Sequence, residues 1–152
     1  MKQRSVGSLI DKGYRTRRKI KASRASVFRA LTTKKGLGGW WTHIVSGSLS
    51  QGGRLRLEFE GLDEHIIMQI NTMKRPSTLN WICVEHTSLP EWNGTNIHFS
   101  LKEIAKNNCE LDFAHVGLVP DLACYRDCKN GWIYFLESLV SYVETGKGQA
   151  FA

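Results

Sequence analysis

The feature that most constrains the fold is a long amphipathic segment near the end of the chain, preceded by a series of strand patterns. Between residues 124 and 146, apolar side chains recur at steps of three and four, which places them on one stripe of an α-helix. The stripe consists of Trp132, Phe135, Leu136, Leu139, Val140 and Val143. We predict that Asp127 caps the start of this helix and that Gly146 forms a left-handed C-cap. A helix with one apolar stripe needs a sheet to cover it.

The segment from residue 54 to residue 118 predicts that sheet. Alternating apolar and polar residues predict strands at 54–60, 64–73, 78–85, 96–103 and 109–118, and two further strands are predicted at 14–21 and 43–46. Short turns join the longer strands, so the sheet is predicted to be antiparallel. Two short helices, at 24–31 and near 37–41, follow the first strand, with Ser23 as the N-cap of the first. The predicted fold class is α+β.

Length and composition fit one folded unit. The chain has 152 residues, of which 41% are hydrophobic and 23% are charged, and these values are typical of a globular domain. We predict an N-terminal tail at residues 1–13 and a single domain at residues 14–152. No apolar run approaches the ~18 residues of a membrane span, and residues 1–11 lack the apolar core of a signal peptide. The predicted location is therefore cytoplasmic.

The net charge of +7 comes from the N-terminal part of the chain. Residues 1–24 carry nine lysines and arginines against one aspartate, whereas the rest of the chain carries twelve basic and thirteen acidic residues. In the first strand, Arg15, Arg17, Lys19 and Lys21 share one face. This face is either a solvated outer surface or a surface that attracts phosphate or anionic lipid. No specific nucleic-acid partner is predicted.

The spacing of cysteines and histidines argues against a metal site. Cys83 and Cys109 fall in strand patterns, where a thiol packs as a small hydrophobic group. Cys124 and Cys128 are four residues apart, but no second cysteine or histidine pair follows at the spacing of a zinc finger. The sequence also lacks a nucleophile elbow, a phosphate-binding glycine loop and a metalloprotease motif. We therefore predict four reduced thiols, no metal, no cofactor and no catalytic residue.

Short motifs along the chain resemble those of a known family. They lie at residues 25–32 (ASVFRALT), 40–41 (WW), 90–95 (PEWNGT), 97–101 (IHFSL), 111–117 (LDFAHVG), 131–132 (GW) and 142–146 (YVETG), with Gly148. In this order they resemble the START/Bet v 1-like helix-grip superfamily (SRPBCC), and within it the branch similar to the activator of heat-shock protein 90 ATPase. The resemblance covers nearly the whole chain beyond residue 14. It implies a curved antiparallel sheet of six or seven strands that grips the C-terminal helix, with a cavity between them.

The resemblance does not imply one activity, because this superfamily includes lipid carriers, hormone receptors, polyketide cyclases and chaperone regulators. The function we favour is binding of a small hydrophobic or amphipathic molecule between sheet and helix. The alternative is interaction with a chaperone or another protein partner, as a monomer or a homodimer. A polyketide-cyclase-like enzyme ranks third.

Thirteen residues are candidates for the lining of the cavity. They are Arg18, Trp41, Leu55, Leu57, Phe59, Trp81, Leu111, Phe113, His115, Trp132, Phe135, Leu136 and Leu139. His115 shares strand parity with Leu111 and Phe113, so it is predicted to face the interior. There it is either a hydrogen-bonded core group, or a polar anchor or general acid–base for a ligand.

The remaining candidates also allow two interpretations. Arg18 either enters the interior or extends outward at the edge of the sheet. Trp81 and Trp132 are either core residues or a platform for a ligand. Trp40 and Trp41 are predicted to lie where the short helices close the cavity, with one of the two partly exposed.

Overall fold

The computed structural model describes residues 12–151, which form one curved sheet and three α-helices. The helices are α1 (Arg24–Thr32), α2 (Lys34–Trp40) and α3 (Tyr125–Thr145). The strands are β1 (Gly13–Ile20), β2 (Ile44–Gly47), β3 (Arg54–Glu58), β4 (His65–Lys74), β5 (Thr78–His86), β6 (Asn96–Ala105) and β7 (Asn108–Val116). A 3₁₀ turn at Pro90–Trp92 connects β5 to β6. The predicted α+β helix-grip fold is confirmed, with seven strands and with two short helices after β1.

The sheet is antiparallel throughout, in the order β1-β7-β6-β5-β4-β3-β2. Strands β2 to β7 each lie beside their neighbours in sequence, so tight local connections build most of the sheet. The pairing of β1 with β7 joins the first and the last strand and sets Tyr14 opposite His115. Most of the predicted tail lies outside the described residues, and β1 already begins at Gly13. The division into tail and domain stays a prediction.

Hydroxyl side chains cap the two short helices. Ser23 Oγ accepts a hydrogen bond from the backbone N–H of Ser26 over 3.1 Å, as the sequence predicts. Thr33 Oγ1 accepts from the N–H of Gly36 over 3.0 Å in the same way. These bonds satisfy N–H groups that have no partner within the first turn of a helix. Both short helices pack against α3.

The ends of α3 agree with the sequence at one terminus and differ at the other. Gly146 ends the helix in the left-handed conformation, at φ 89°, as predicted. The predicted cap at Asp127 is wrong, because α3 begins at Tyr125 and Asp127 lies inside its first turn. The Glu91 carboxylate instead accepts from the backbone N–H groups of Ala123 and Cys124, both over 3.3 Å. This contact from the 3₁₀ turn fixes the chain just before the helix.

The interior between sheet and helix is filled by aromatic side chains. Trp41 stacks on Trp40 with ring centroids 5.4 Å apart and on Trp81 at 5.7 Å, and it also contacts Trp132 at 5.4 Å. The prediction that Trp40 or Trp41 is partly exposed is wrong, since their exposed fractions are 0% and 3%. Trp40 is held inside because its indole N–H donates to the carbonyl of Ala30 over 2.9 Å.

The last described residues return to the middle of the fold. The backbone N–H of Phe151 donates to the carbonyl of Trp41 over 2.8 Å, and Phe151 forms a parallel bridge with Thr42. Its ring packs edge-on against Phe59 at 5.5 Å. Among residues 12–151, no helix has both the length and the apolar character needed to cross a membrane.

Candidate functional site

A cavity of about 270 Å³ opens at the end of the sheet where α3 begins. Its size is near the lower limit of known ligand sites, ~300 Å³. The aromatic part of its lining consists of Trp41, Phe59, Trp92, Trp132, Phe135 and Phe151. The rest of the lining consists of Leu62, Glu64, Ile66, His86, Leu89, Cys124, Asp127, Cys128 and Gly131. The walls therefore come from the first turns of α3, the segment between β3 and β4, the adjacent ends of β4 and β5, and the 3₁₀ turn and the segment that follows β5. Trp41 after α2 and Phe151 near the end of the described residues complete the lining.

Four of the thirteen predicted residues border this cavity. They are Trp41, Phe59, Trp132 and Phe135. Eight others are fully buried and lie outside its lining: Leu55, Leu57, Trp81, Leu111, Phe113, His115, Leu136 and Leu139. Their inward orientation agrees with the strand and helix patterns, but the open space lies beside them, because stacked tryptophans fill the centre of the sheet. The role of the four bordering residues in ligand contact stays a prediction.

Arg18 is the remaining candidate, and it stays at the edge of the sheet. Its guanidinium Nη1 donates to the backbone carbonyl of Arg17 over 3.0 Å and to the hydroxyl of Thr16. The side chain is partly exposed on β1 and is not part of the cavity lining. Of the two interpretations allowed by the sequence, the structure therefore shows the outward one.

His115 is a core residue with both ring nitrogens satisfied. Nδ1 accepts the indole N–H of Trp132 over 3.0 Å, so the ring proton resides on Nε2, which lies 2.8 Å from the hydroxyl oxygen of Thr95. That hydroxyl in turn donates to the carbonyl of Trp92 over 2.6 Å. Burial lowers the pKa of His115 from its usual 6.5 to about 3. The imidazole is neutral, and its ring nitrogens are already engaged by protein partners.

His86 is the histidine that faces the cavity, and the sequence analysis missed it. Its side chain is 4% exposed, and Nδ1 accepts the backbone N–H of Leu89 over 3.1 Å. Nε2 must then carry the proton, and no partner for it lies among residues 12–151. No buried side-chain nitrogen or oxygen in the described part of the chain lacks a partner, so Nε2 reaches the open space that His86 borders. Burial lowers the pKa of His86, while the nearby Glu64 carboxylate raises it.

Two carboxylates complete the polar part of the lining. Glu64 precedes β4 and is partly exposed, and Asp127 is exposed on the first turn of α3. Neither carboxylate takes a hydrogen bond or an ion pair from another residue of the described range. The lining contains no lysine or arginine from residues 12–151. The cavity is therefore acidic in a chain of net charge +7.

The Cys124 thiol at the cavity does not have the properties of a catalytic cysteine. Burial raises the pKa of Cys124 above its usual value, and its hydrogen bonds with Cys128 and Glu91 raise it further. Cys128 Sγ accepts the indole N–H of Trp92 over 3.2 Å. A thiol with a raised pKa is not ionised at neutral pH and is a poor nucleophile. Within the described range, no three or more His, Cys, Asp or Glu side chains are grouped to hold a metal ion.

The helical part of this lining carries a signal that the sequence analysis did not use. Cys124, Cys128, Gly131 and Phe135 follow at steps of three and four, so they continue the apolar stripe of α3 toward its N-terminus. That continuation indicates that the first turns of α3 also face the interior. The remaining wall residues, among them Trp92 and Phe151, come from a turn and from the C-terminal end, whose positions depend on long-range contacts that no local pattern encodes.

A second depression lies between the short helices and the end of α3, with a volume of about 530 Å³. It is larger than the cavity and equally open to solvent, but its lining contains one aromatic residue of the described range, Tyr142, and includes the exposed Arg29 and Lys35. None of the thirteen predicted residues borders it. The aromatic cavity is therefore the stronger candidate for a ligand site.

A sheet that grips a C-terminal helix beside an aromatic cavity defines a helix-grip protein of the Bet v 1-like superfamily. The model of the family described as "Activator of Hsp90 ATPase homolog 1-like protein" matches residues 21–144. The chain therefore belongs to the Activator of Hsp90 ATPase homolog 1-like family. None of the curated proteins matches the chain.

Solved structures share this fold along nearly the whole chain. The Aha1 dimer from Colwellia psychrerythraea, solved in solution, is 30% identical with a TM-score of 0.77, and the match covers 90% of this chain and 98% of that one. PFC0360w, an HSP90 activator from Plasmodium falciparum, is 18% identical with a TM-score of 0.72, over 89% and 96% of the two chains. DynU16, from the dynemicin biosynthetic locus, is 20% identical with a TM-score of 0.68, over 91% and 49%. The last two similarities concern the fold alone.

Proposed function

We propose that this protein binds a small hydrophobic or amphipathic molecule in the cavity between the first turns of α3 and the adjacent ends of β4 and β5. The observation that supports this most directly is the open aromatic space itself. The interior under the centre of the sheet is closed by stacked tryptophans, whereas about 270 Å³ beside them stays open and is lined largely by aromatic rings. Ligand sites in proteins are mostly apolar, with a few placed polar groups.

The exposed surface offers less support for a protein-docking function. The large hydrophobic residues exposed among residues 12–151 are Ile44, Leu62, Ile104 and Tyr134. They lie on β2, the loop after β3, β6 and α3, so they belong to four separate elements. A docking surface usually presents a contiguous apolar patch, and these four residues do not point to one.

Two polar groups at or beside the cavity, His115 and Cys124, are unsuited to catalysis. Both ring nitrogens of His115 are engaged by protein partners, and burial holds the thiol of Cys124 in its protonated form. A general acid–base or a nucleophile needs a reactive atom within reach of the substrate, and neither residue provides one.

Gly131 provides a direct test. A Cβ built at this position meets no atom within 4 Å, so a larger side chain enters open space at the cavity wall. We expect Gly131→Leu to abolish binding of the neutral probe 2-naphthylmethanol and Gly131→Ala to retain it, as measured by isothermal titration calorimetry. In the wild type, the probe should shift the indole N–H resonances of Trp92 and Trp132 and leave that of Trp40 unchanged. Saturable binding that is equal in Gly131→Leu and wild type would rule out this cavity as the site.

A protein-partner function is the second candidate, because the relative that is 30% identical is an Aha1 dimer. Its test is the oligomeric state and the effect of the chain on a partner. Sedimentation velocity over a range of concentrations would detect a dimer, and an ATPase assay with an Hsp90 chaperone would detect activation. Activation that persists in Gly131→Leu would favour the partner function over ligand binding.

A further inference from the structure

We propose that the ligand of this cavity is a protonated amphipathic amine, with an apolar body between the tryptophan and phenylalanine rings and an ammonium group beside Glu64 and Asp127. This inference rests on the proposed function and specifies its ligand class. It is carried by three features of the lining: its acidic groups, its aromatic walls and the hydrogen-bond donor of His86.

The first feature is the negative charge of the cavity lining. Glu64 and Asp127 both border the cavity, and neither is paired with another residue between 12 and 151. The two basic side chains nearest in sequence to Asp127 are Arg126 and Lys129, and both lie outside the lining. Two unpaired carboxylates beside an apolar space attract a cation and repel an anion.

The N-terminus of α3 does not reverse this preference. A helix N-terminus carries about half a positive charge, which by itself favours anions. Here the Glu91 carboxylate already accepts from the N–H groups of Ala123 and Cys124 just before the helix. Asp127 adds a second negative charge in the first turn. The two carboxylates together exceed the partial charge of the helix end, so the local field stays negative.

The second feature is the aromatic wall. Trp92 and Trp132 stack with centroids 5.9 Å apart and planes 15° from parallel, and both border the cavity together with Trp41. Indole faces attract cations through their quadrupole, and tryptophan is the strongest such partner among the side chains. The same rings bury the apolar body of the ligand. One set of side chains thus favours both parts of an amphipathic amine.

The third feature is the neutral state of His86. Because Nδ1 accepts the Leu89 N–H, Nε2–H is a donor that faces the cavity without a protein partner. Burial lowers the pKa of this residue, so the imidazole does not add a positive charge that would repel an ammonium group. The donor instead suits an oxygen on the ligand body, such as a hydroxyl, ether or carbonyl.

Three probes with the same naphthalene body separate these contributions. They are 2-naphthylmethylammonium, 2-naphthylmethanol and 2-naphthylacetate, which differ in the charge of the head group at neutral pH. Measured by calorimetry at low salt, the ammonium should bind about tenfold more tightly than the alcohol, and the acetate more weakly than the alcohol. Added salt should reduce the differences in affinity among the three probes, since it screens exposed charges.

Charge-neutralising variants test whether Glu64 and Asp127 cause the preference for the ammonium probe. In the double variant Glu64→Gln, Asp127→Asn, the ammonium should lose its roughly tenfold advantage over the alcohol. The control is Asp63→Asn, Glu137→Gln, which removes the same charge from two exposed residues outside the lining. We expect this control to keep most of the preference for the ammonium.

The outcomes distinguish this inference from the proposed function. If the alcohol binds but the ammonium binds no better, or if the preference survives the Glu64→Gln, Asp127→Asn double variant, the inference is overturned and the proposed function stands. If none of the three probes binds, both are overturned. A preference for the ammonium that is lost only in the double variant supports the inference.

Discussion

Trp132 donates its indole N–H to Nδ1 of His115 over 3.0 Å, in a region where the two residues are 2% and 0% exposed. This bond joins the N-terminal half of α3 to β7. It also fixes the ring proton of His115 on Nε2, toward Thr95. The Trp132 side chain therefore has two roles: it holds the helix on the sheet, and its ring borders the cavity.

Removing this side chain should destabilise the fold strongly. We expect Trp132→Ala to lower the free energy of unfolding by roughly 3–5 kcal/mol, as do deletions of large buried aromatic residues. Urea denaturation followed by circular dichroism measures the change. The matched control is Tyr134→Ala in the same helix, which removes a ring that is 48% exposed and should cost less than about 1 kcal/mol. A cost below about 1 kcal/mol for Trp132→Ala would mean that α3 does not dock on the sheet through this residue.

The buried His115 should make stability depend on pH in the acid range. Its pKa is lowered from 6.5 to about 3, so between these values the unfolded chain binds a proton that the folded chain does not. Stability should therefore rise as the pH increases from about 3 to 6.5 and fall as the pH decreases, by on the order of 1.4 kcal/mol per pH unit. The lowered pKa values of His86 and His98 act in the same direction.

Nitrogen chemical shifts of the His115 ring measure its protonation state and tautomer directly. We expect a neutral imidazole with an unprotonated Nδ1 at pH values well below 6.5. Titration of this ring with a midpoint near 6.5 would contradict the buried, hydrogen-bonded position described above.

A glycine inside α3 and the glycine that caps its C-terminus should respond in opposite directions to the same substitution. A Cβ at Gly131 or at Gly146 meets no atom within 4 Å, so only the backbone decides the effect. Gly131 is inside the helix, and Gly131→Ala should raise the free energy of unfolding by about 0.5–1 kcal/mol. Gly146 has a φ of 89°, and Gly146→Ala should lower it by about 1–2 kcal/mol. Changes of the same sign in urea denaturation would contradict the assigned helix end.

The basic outer face of β1 should bind nucleic acid only weakly. Arg15 and Arg17 lie 3.3 Å and 3.5 Å from the carboxylate oxygens of Asp112, so part of their charge is already balanced. We expect retention of a labelled DNA duplex at low salt that disappears near ~0.15 M, since each phosphate contact releases counterions. Fluorescence anisotropy over a salt series measures this. Tight binding with a sequence preference at ~0.2 M salt would instead support a nucleic-acid function.

The fold followed from the sequence because its elements are locally encoded. The stripe of α3 and the alternation of Leu55 and Leu57 with arginines are periodic patterns that identify a helix and a strand without knowledge of the rest of the chain. Ser23 and Gly146 mark helix ends by the same local chemistry. Asp127 was misassigned because the partner at the start of α3 is Glu91, which is more than 30 residues away in sequence.

The candidate site was harder to predict than the fold. Strand parity correctly placed His115 inside, but parity does not state whether an interior position is filled or open. That depends on how Trp40 and Trp41, at the end of α2, stack with Trp81 on β5. His86 escaped notice because it lies at the end of its strand, where its role is decided by the turn that brings the Leu89 N–H to Nδ1.

The tryptophan contacts described above also have a spectroscopic consequence. All five tryptophans of the chain form one connected set, in which Trp41 touches Trp40, Trp81 and Trp132, and Trp132 touches Trp92. At centroid separations of 5.4–5.9 Å, excitation energy passes between indoles faster than it is emitted. The emission spectrum and the near-ultraviolet circular dichroism are therefore properties of the whole set, and replacing one tryptophan should not remove one fifth of the signal. A ligand that contacts Trp92 alone would therefore also change the emission that follows excitation of Trp40 and Trp81, which it does not contact.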